Sequence, residues 1–193
     1  MLIPSTQLLG IAVMSLQTGR RLAITKHAVI DPRNLKILAF ELDGPHLDQV
    51  PSFLGVNDIR EIGNMGIIID SSDEFVGIDD VIKIKEVYNF RFKLDNLAVK
   101  SQRGKKLGKV MNYSIEPDSF TVKQLSVRRP FLKSLTDTEL LIDRSQIIEI
   151  SNDAVVIKDE TEKVRSHVKS ATSTYTNPFR QQSAPQPETI YRS

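Results

Sequence analysis

The stretch TGRRLAITKHAVIDP over residues 18–32 occurs a second time, as RGKKLGKVMNYSIEP over residues 103–117. In both copies a glycine is followed by two cations and a leucine, and an isoleucine, an acid and a proline begin eight residues after that leucine. Gly19 and Gly104 differ by 85 in number. Repetition at a constant offset indicates a duplicated structural unit. The chain is therefore predicted to contain two copies of one small fold, each of about 80 residues.

The first copy reads as short strands arranged around a hairpin. We expect strands at Ile11–Ser15, Leu22–Ile30 and Leu35–Leu42, where apolar residues recur between turn residues. Gly19 supplies the positive φ of the turn before the second strand. The connection Asp31–Asn34 has a type I turn signature, with Asp first and Pro second. The pattern predicts an antiparallel β-hairpin.

The apolar pattern changes phase within the returning strand of both copies. Leu35 and Ile37 share one parity and Phe40 has the other, while Val122 and Leu125 differ in the same way in the second copy. A strand with a strict period of two keeps its phase. The shift predicts a β-bulge, which helps a short sheet to curl into a barrel. A strand buried on both faces is the alternative.

Two later strands also recur. Val56–Ile62 and Gly66–Asp70 are predicted strands that match Ile142–Ile150 and Ala154–Ile157, with the offset now 88. The second copy therefore carries three extra residues, which we assign to a surface loop around Arg128–Thr138.

The connections differ in character. Asp43–Ser52 is rich in Gly and Pro and is predicted to be a loop. The segment Ser71–Phe92 joins the copies, and apolar and charged residues alternate in part along its second half. This pattern predicts a half-exposed strand that holds the two copies together.

The composition changes after residue 160. Residues 161–169 are compatible with a helical turn or two, and residues 170–193 consist largely of Ser, Thr, Gln and Pro, which predicts disorder. The expected organisation is repeat 1 over residues 1–87, repeat 2 over residues 88–160, and a tail over residues 161–193.

Composition narrows the function classes. The chain has no Cys and three His, so disulfides and thiolate chemistry are excluded and no metal or cofactor is expected. A net charge of +2 is too small to indicate nucleic acid as the partner. Met1–Thr18 has no charge and is interrupted by Pro4–Gln7, unlike a signal peptide or a membrane span. A cytoplasmic location is the expectation.

The repeated pattern resembles the PRC-barrel family. The second copy carries the likeness in GKKLGKV over residues 104–110, the acid–proline turn at Pro117, and the following strand. The first copy matches, but has Ala23 where the family usually has Gly. Small β-barrels of this family occur in the photosynthetic reaction-centre H subunit and in the ribosome maturation factor RimM. The resemblance, over residues 8–70 and 94–159, implies an all-β chain with two small PRC-type β-barrels in tandem.

Two kinds of candidate binding residue follow. Cation pairs flank the equivalent turns and suit phosphates or acidic lipid heads, although cations there also serve solubility and protect sheet edges: Arg20, Arg21, Lys105 and Lys106. Interface-like composition marks the inserted loop, which alternatively plugs a barrel end, and a short motif in the tail: Arg128, Arg129, Pro130, Phe131, Asn177, Pro178 and Phe179. His27 is interpreted as a tolerated strand residue, since Asn112 replaces it in the other copy.

Three functions remain open at this level. The first is a non-enzymatic adaptor or assembly module with an unidentified protein partner. The second is a ribosome-associated or RNA-maturation factor, by analogy with RimM. The third is an assembly protein of a photosynthetic or envelope complex. The resemblance supplies no catalytic residues, so an enzyme is the least expected class.

Overall fold

The computed structural model describes residues 1–45, 47–129 and 139–159. Strand β1 (Ile3–Pro4) precedes the first half, whose described residues form seven strands: β2 (Ala12–Ser15), β3 (Arg21–Asp31), β4 (Lys36–Asp43), β5 (Ser52–Gly55), β6 (Glu61–Gly63), β7 (Gly66–Ile69) and β8 (Phe75–Gly77). One α-helix, α1 (Ile82–Asn89), leads to the second half. That half contains β9 (Ala98–Ser101), β10 (Lys106–Glu116), β11 (Thr121–Arg128), β12 (Glu139–Asp143), β13 (Ile147–Ile150) and β14 (Ala154–Ile157). Apart from this helix and short 3-10 turns, the regular elements of the described residues are all β-strands.

The two halves repeat one pattern of strand pairing. In the first half, β3 pairs with β2 and β4, β4 pairs with β5, and β2 pairs in parallel with β7, which pairs with β6. In the second half, β10 pairs with β9 and β11, β11 pairs with β12, and β9 pairs in parallel with β14, which pairs with β13. The sequence repeat is thus a repeat of topology. Because it contains both parallel and antiparallel pairs, the sheet is mixed. The path of its described strands is open, with β13 and β6 at the ends, so the sheet is not closed into a barrel.

The predicted bulges are confirmed at equivalent places. Pairing of β3 with β4 skips Leu38, and pairing of β10 with β11 skips Lys123, which lies 85 residues later. Further register shifts occur at Lys26 and at its equivalent Met111. The alternative explanation, a strand that is buried on both faces, also holds for β4, because residues 39–42 are all buried.

The halves meet at the tips of their long hairpins. Lys36 of β4 faces Thr121 of β11, and these two residues are equivalent in the repeat. The flanking hydrogen bonds are reciprocal: Ile37 N donates to Phe120 O and Val122 N donates to Leu35 O, both at 2.9 Å. The junction therefore has approximate twofold symmetry. One apolar core, including Leu8, Phe40, Tyr113 and Ile142, runs through both halves.

The segment between the copies corrects one prediction. Its second half is not a strand but helix α1, because Ile84, Val87 and Tyr88 recur at helical spacing. These residues pack with Val29 and Phe53 in a second apolar cluster. The alternation that suggested a strand arose from Ile82, which is exposed.

Two predicted strands also differ from expectation, and β5 was not predicted. The predicted strand Val56–Ile62 is a 3-10 turn followed by the short strand β6, and the predicted strand Ile142–Ile150 is interrupted by a capped 3-10 turn at Arg144–Gln146. Asp143 closes that turn with a capping box. Strand β5 was missed because it begins at the end of the Gly- and Pro-rich segment Asp43–Ser52, and its pairing with β4 and β8 is non-local.

Each half is joined to the other by the segment that precedes it. β1, which precedes the first half, pairs with β10 of the second half through Ile3–Ile115 and Pro4–Ser114. Helix α1, which precedes the second half, packs on β3 of the first. In the part of the chain that the structure describes, no helix has the length and apolar character needed to cross a membrane.

Candidate functional site

A cleft of about 630 Å³ opens where the two halves meet. This volume lies within the range of sites that hold drug-sized ligands or short peptide segments. Its walls come from β3, the end of α1, the chain that follows the helix, and single residues of the N-terminal segment, β4 and β10: Leu9, Lys26, His27, Ala28, Val29, Ile30, Glu41, Val87, Tyr88, Arg91, Phe92, Lys93, Leu94, Asp95, Asn96 and Tyr113.

The wall after the helix is formed by a short stretch that lies between two residues in the left-handed conformation. Arg91 and Asn96 have φ of 51° and 64°, so the chain turns sharply at both ends. Between them Phe92 and Leu94 are buried and anchor the stretch, while Lys93 lies exposed. Asn96 N donates to Val110 O at 2.9 Å, which ties this wall to β10. The charged side chains are therefore held at the cleft rim by a buried apolar alternation.

One side of the cleft carries a hydrogen-bonded chain of three side chains. Lys26 Nζ lies 3.3 Å from Glu41 Oε1, and the Tyr88 hydroxyl donates to Glu41 Oε2 at 3.4 Å. Glu41 is 9% exposed, so its charge is compensated by the Lys26 ammonium. Burial raises the pKa of Tyr88, and the Glu41 carboxylate raises it further.

Tyr113 and Asp95 supply polar groups inside the cleft. Tyr113 is 2% exposed as a whole residue, and no described residue hydrogen-bonds to its hydroxyl, which keeps contact with solvent in the cleft. Burial raises the pKa of Tyr113, and the Asp95 charge adds to the effect, so this hydroxyl stays protonated as a donor. Partial loss of water raises the pKa of Asp95, while the charges of His27 and Lys93 oppose that change. The hydroxyl is therefore a donor that faces the cleft and is available to an acceptor there.

His27 forms part of the cleft wall on β3. His27 is exposed on β3 and, within residues 1–45, 47–129 and 139–159, makes no hydrogen bond to a carboxylate that would orient its imidazole. The same ranges contain no group of three His, Asp or Glu side chains arranged to hold a metal ion.

The cation pairs predicted as binding spots do not reach this cleft. Arg20 and Arg21 lie exposed at the β2–β3 turn, and Lys105 and Lys106 lie exposed at the β9–β10 turn of the other half. Each turn is at the opposite end of an 11-residue strand from the junction of the halves. The structure thus keeps the two pairs apart.

The predicted interface loop is described only at its start. Arg128 ends β11, where one guanidinium nitrogen lies 3.2 Å from Met111 Sδ, and Arg129 follows, partly exposed. The other candidate interface residues lie outside the described residues: Pro130, Phe131, Asn177, Pro178 and Phe179. The predicted helical turn and tail over residues 161–193 lie outside as well.

Sequence reasoning missed the cleft because its residues come from five separate segments. His27 was interpreted only as a strand residue, and Tyr88, Asp95 and Tyr113 drew no attention. One signal was present: the segments that precede the two copies have different sequences, although the strands that follow them match. Such a difference marks the place where two equivalent surfaces are covered differently.

A scan against protein-family models finds no match, and a search of curated proteins finds none. The likeness to the PRC-barrel family accordingly rests on the residues of the two repeats.

Proposed function

We propose that this chain is a non-enzymatic adaptor or assembly module built from two PRC-barrel-like repeats. The repeated strand pairing and the equivalent bulges support the tandem organisation. The glycine turns at Gly19 and Gly104, both with positive φ, support the resemblance on which the family assignment depends. In this proposal each half is an incompletely closed barrel, and the two are held rigidly by the twofold junction.

The cleft between the halves is the observation that carries the adaptor function. It combines a strand of the sheet with an apolar wall from Val87, Phe92 and Leu94 and with the cations Arg91 and Lys93 at its rim. Backbone groups, apolar anchors and rim charges are the features by which polypeptide segments are held. The partner is therefore proposed to be a protein, bound at the cleft.

Paired charge reversals test this proposal. One variant combines Arg91→Glu with Lys93→Glu at the cleft, and the matched control combines Arg20→Glu with Arg21→Glu at a distant turn. All four side chains are exposed, so both variants are expected to fold. Proteins captured from cell extract on immobilised full-length chain, quantified for each variant, should decrease for the cleft variant and persist for the turn variant.

Binding that depends on the turn cations and not on the cleft cations would refute the adaptor proposal. Sedimentation with ribosomes at low salt that is lost in the turn variant, and retained in the cleft variant, would assign the chain to RNA instead. Flotation with acidic liposomes under the same two variants distinguishes a lipid surface from RNA.

A further inference from the structure

The equivalent edges of β3 and β10 are covered differently. On β10, β9 pairs with Lys106–Lys109 and β1 pairs with Ser114 and Ile115. On β3, β2 pairs with Arg21–Ile24. Within the described part of the chain no further strand pairs with that edge of β3 as far as Asp31.

The peptide groups that face this edge can be identified from the second half. Tyr113 N donates to Ser5 Oγ at 3.4 Å, so its peptide group points away from β11. Alternate residues of a strand point the same way, and Ile115 accordingly pairs with Ile3. The equivalent residues of β3 are Ala28 and Ile30, and both line the cleft. In the part of the chain that the structure describes, the peptide groups of Ala28 and Ile30 on this edge therefore pair with no strand.

This difference between the two edges arises because the two preceding segments have different secondary structure. The N-terminal segment is extended at Ile3 and lies along the β10 edge. The segment before the second half is helical and packs its apolar side on Val29 and Phe53, across the face of the sheet. A helix forms its backbone hydrogen bonds within itself, so α1 does not pair with the β3 edge.

We propose that an extended segment of a partner protein pairs with the β3 edge at Ala28 and Ile30, as β1 pairs with β10 within the chain itself. This inference rests on the proposed adaptor function and specifies its mode as strand addition. The chain's own use of the equivalent edge shows that the geometry accepts a short added strand.

The charges at the cleft rim determine which side chains the added strand is expected to have. Of the cations in the cleft, Lys26 is paired with Glu41, whereas Arg91 and Lys93 have no ion-pair partner among the described residues. Only Asp95 opposes them. An acidic side chain next to the paired residues complements this rim, and an apolar side chain faces the buried wall. The Tyr113 hydroxyl supplies a donor for a carbonyl or carboxylate of the same segment.

Strand addition is tested on the peptide, which leaves the protein unchanged. Seven-residue peptides are selected by display on the immobilised full-length chain, and the strongest is measured by fluorescence anisotropy. Two further versions carry N-methyl groups on alternate peptide nitrogens, one version for each parity. Removing main-chain donors that pair with β3 should weaken binding about fivefold or more for one parity and leave the other nearly unchanged.

Protein variants add a second readout. Lys93→Glu should weaken the selected peptide about tenfold, since it reverses a charge beside an acidic side chain, whereas Arg20→Glu should have no effect. Equal loss for both N-methyl parities, no loss for either, or selection of no peptide that binds below about 1 mM would overturn strand addition. If partner capture still depends on Arg91 and Lys93 in those cases, the adaptor function stands and only its mode is wrong.

Other occupants of the edge give distinct results. Slow hydrogen exchange at Ala28 and Ile30 in the free chain, independent of concentration, would assign the edge to the chain's own residues 160–193. Protection that grows with protein concentration, together with dimer in sedimentation, would assign it to a second copy. Either result overturns the proposal, whereas protection that appears only with the selected peptide supports it.

Discussion

Ile30 on β3 and Ile115 on β10 occupy equivalent positions of the repeat. Both pair with the return strand of their hairpin, but in the described part of the chain only Ile115 also has a strand on its other side. Ile3 pairs with Ile115, whereas the edge at Ile30 opens into the cleft. The repeat contains two equivalent edges, and because the two preceding segments differ, one of these edges has no strand on it in the part of the chain that the structure describes. The feature peculiar to this chain lies where the repeat is broken.

The first prediction concerns the strand that covers the β10 edge. Ser5 is 3% exposed and its hydroxyl accepts from Tyr113 N. Ser5→Ala leaves that buried amide without a partner and should lower the free energy of unfolding by about 1 kcal/mol in urea denaturation. Thr6→Ala, at an exposed neighbour, is the control and should change it by less than about 0.5 kcal/mol. Equal effects would mean that the Ser5 hydrogen bond contributes nothing.

The second prediction concerns pH. Arg33 holds the pKa of the buried Asp31 carboxyl below its usual value, through a hydrogen bond from Nε at 2.9 Å and one from Nη2 at 3.0 Å. Because the folded-state pKa is lowered, the stabilisation is complete above the unfolded value near 4 and is lost as the pH falls through the folded value.

Asp31→Asn should therefore lower the free energy of unfolding by about 1–2 kcal/mol at pH 7. It should also flatten the loss of stability below pH 4, which thermal scans at several pH values would measure. Asp118→Asn, an exposed position in the equivalent hairpin turn, is the control and should leave both quantities unchanged. If Asp31→Asn lost stability below pH 4 as steeply as the parent chain, the assignment of that loss to the Asp31 carboxyl would be wrong.

The third prediction separates backbone conformation from close packing at two glycines. Gly10 and Gly66 have φ of 73° and 119°, but only Gly66 has a backbone beside it: a Cβ there would overlap the carbonyl oxygen of Ala12. Gly10→Ala should cost about 1–2 kcal/mol for the left-handed conformation alone. Gly66→Ala should cost more than about 3 kcal/mol, because the parallel pairing of β2 with β7 must shift. Comparable unfolding midpoints for the two variants would show that the strands separate without strain.

The fourth prediction tests the unpaired hydroxyl of Tyr113. Tyr113→Phe removes a donor that contacts solvent in the cleft and bonds to no described residue, so the free energy of unfolding should stay within about 0.5 kcal/mol of the parent. Tyr88→Phe breaks the hydrogen bond to Glu41 and should decrease it by about 0.5–1 kcal/mol. A loss above about 1 kcal/mol for Tyr113→Phe in chemical denaturation would reveal a partner for that hydroxyl.

The sequence predicted what local pattern controls. The hairpin turn at Asp31, the glycine turns and the bulge opposite Val29 follow from turn chemistry and apolar parity, and the structure contains them. The helix α1 was mistaken for a strand because eight residues with two alternating isoleucines satisfy both periods. Its helical state is decided by packing on Phe53, a residue distant in sequence.

The cleft could not be predicted from local sequence pattern, because it too depends on residues that are distant in sequence. Tyr113, Asp95 and His27 come together only through the crossing of the preceding segments between the halves. The open edge at Ile30 is defined by the lack of a pairing, which periodicity does not register. Comparison of the two copies, residue by residue, is the sequence operation that points to it.

The most direct test of the account is amide hydrogen exchange at equivalent positions of the two edges, measured by NMR on the free full-length chain. The amides of Tyr113 and Ile115, covered by the N-terminal segment, should exchange slowly, and those of Ala28 and Ile30 should exchange much faster and become protected when the selected peptide is added. Equal protection of all four amides in the free chain would contradict the claim that the β3 edge is open.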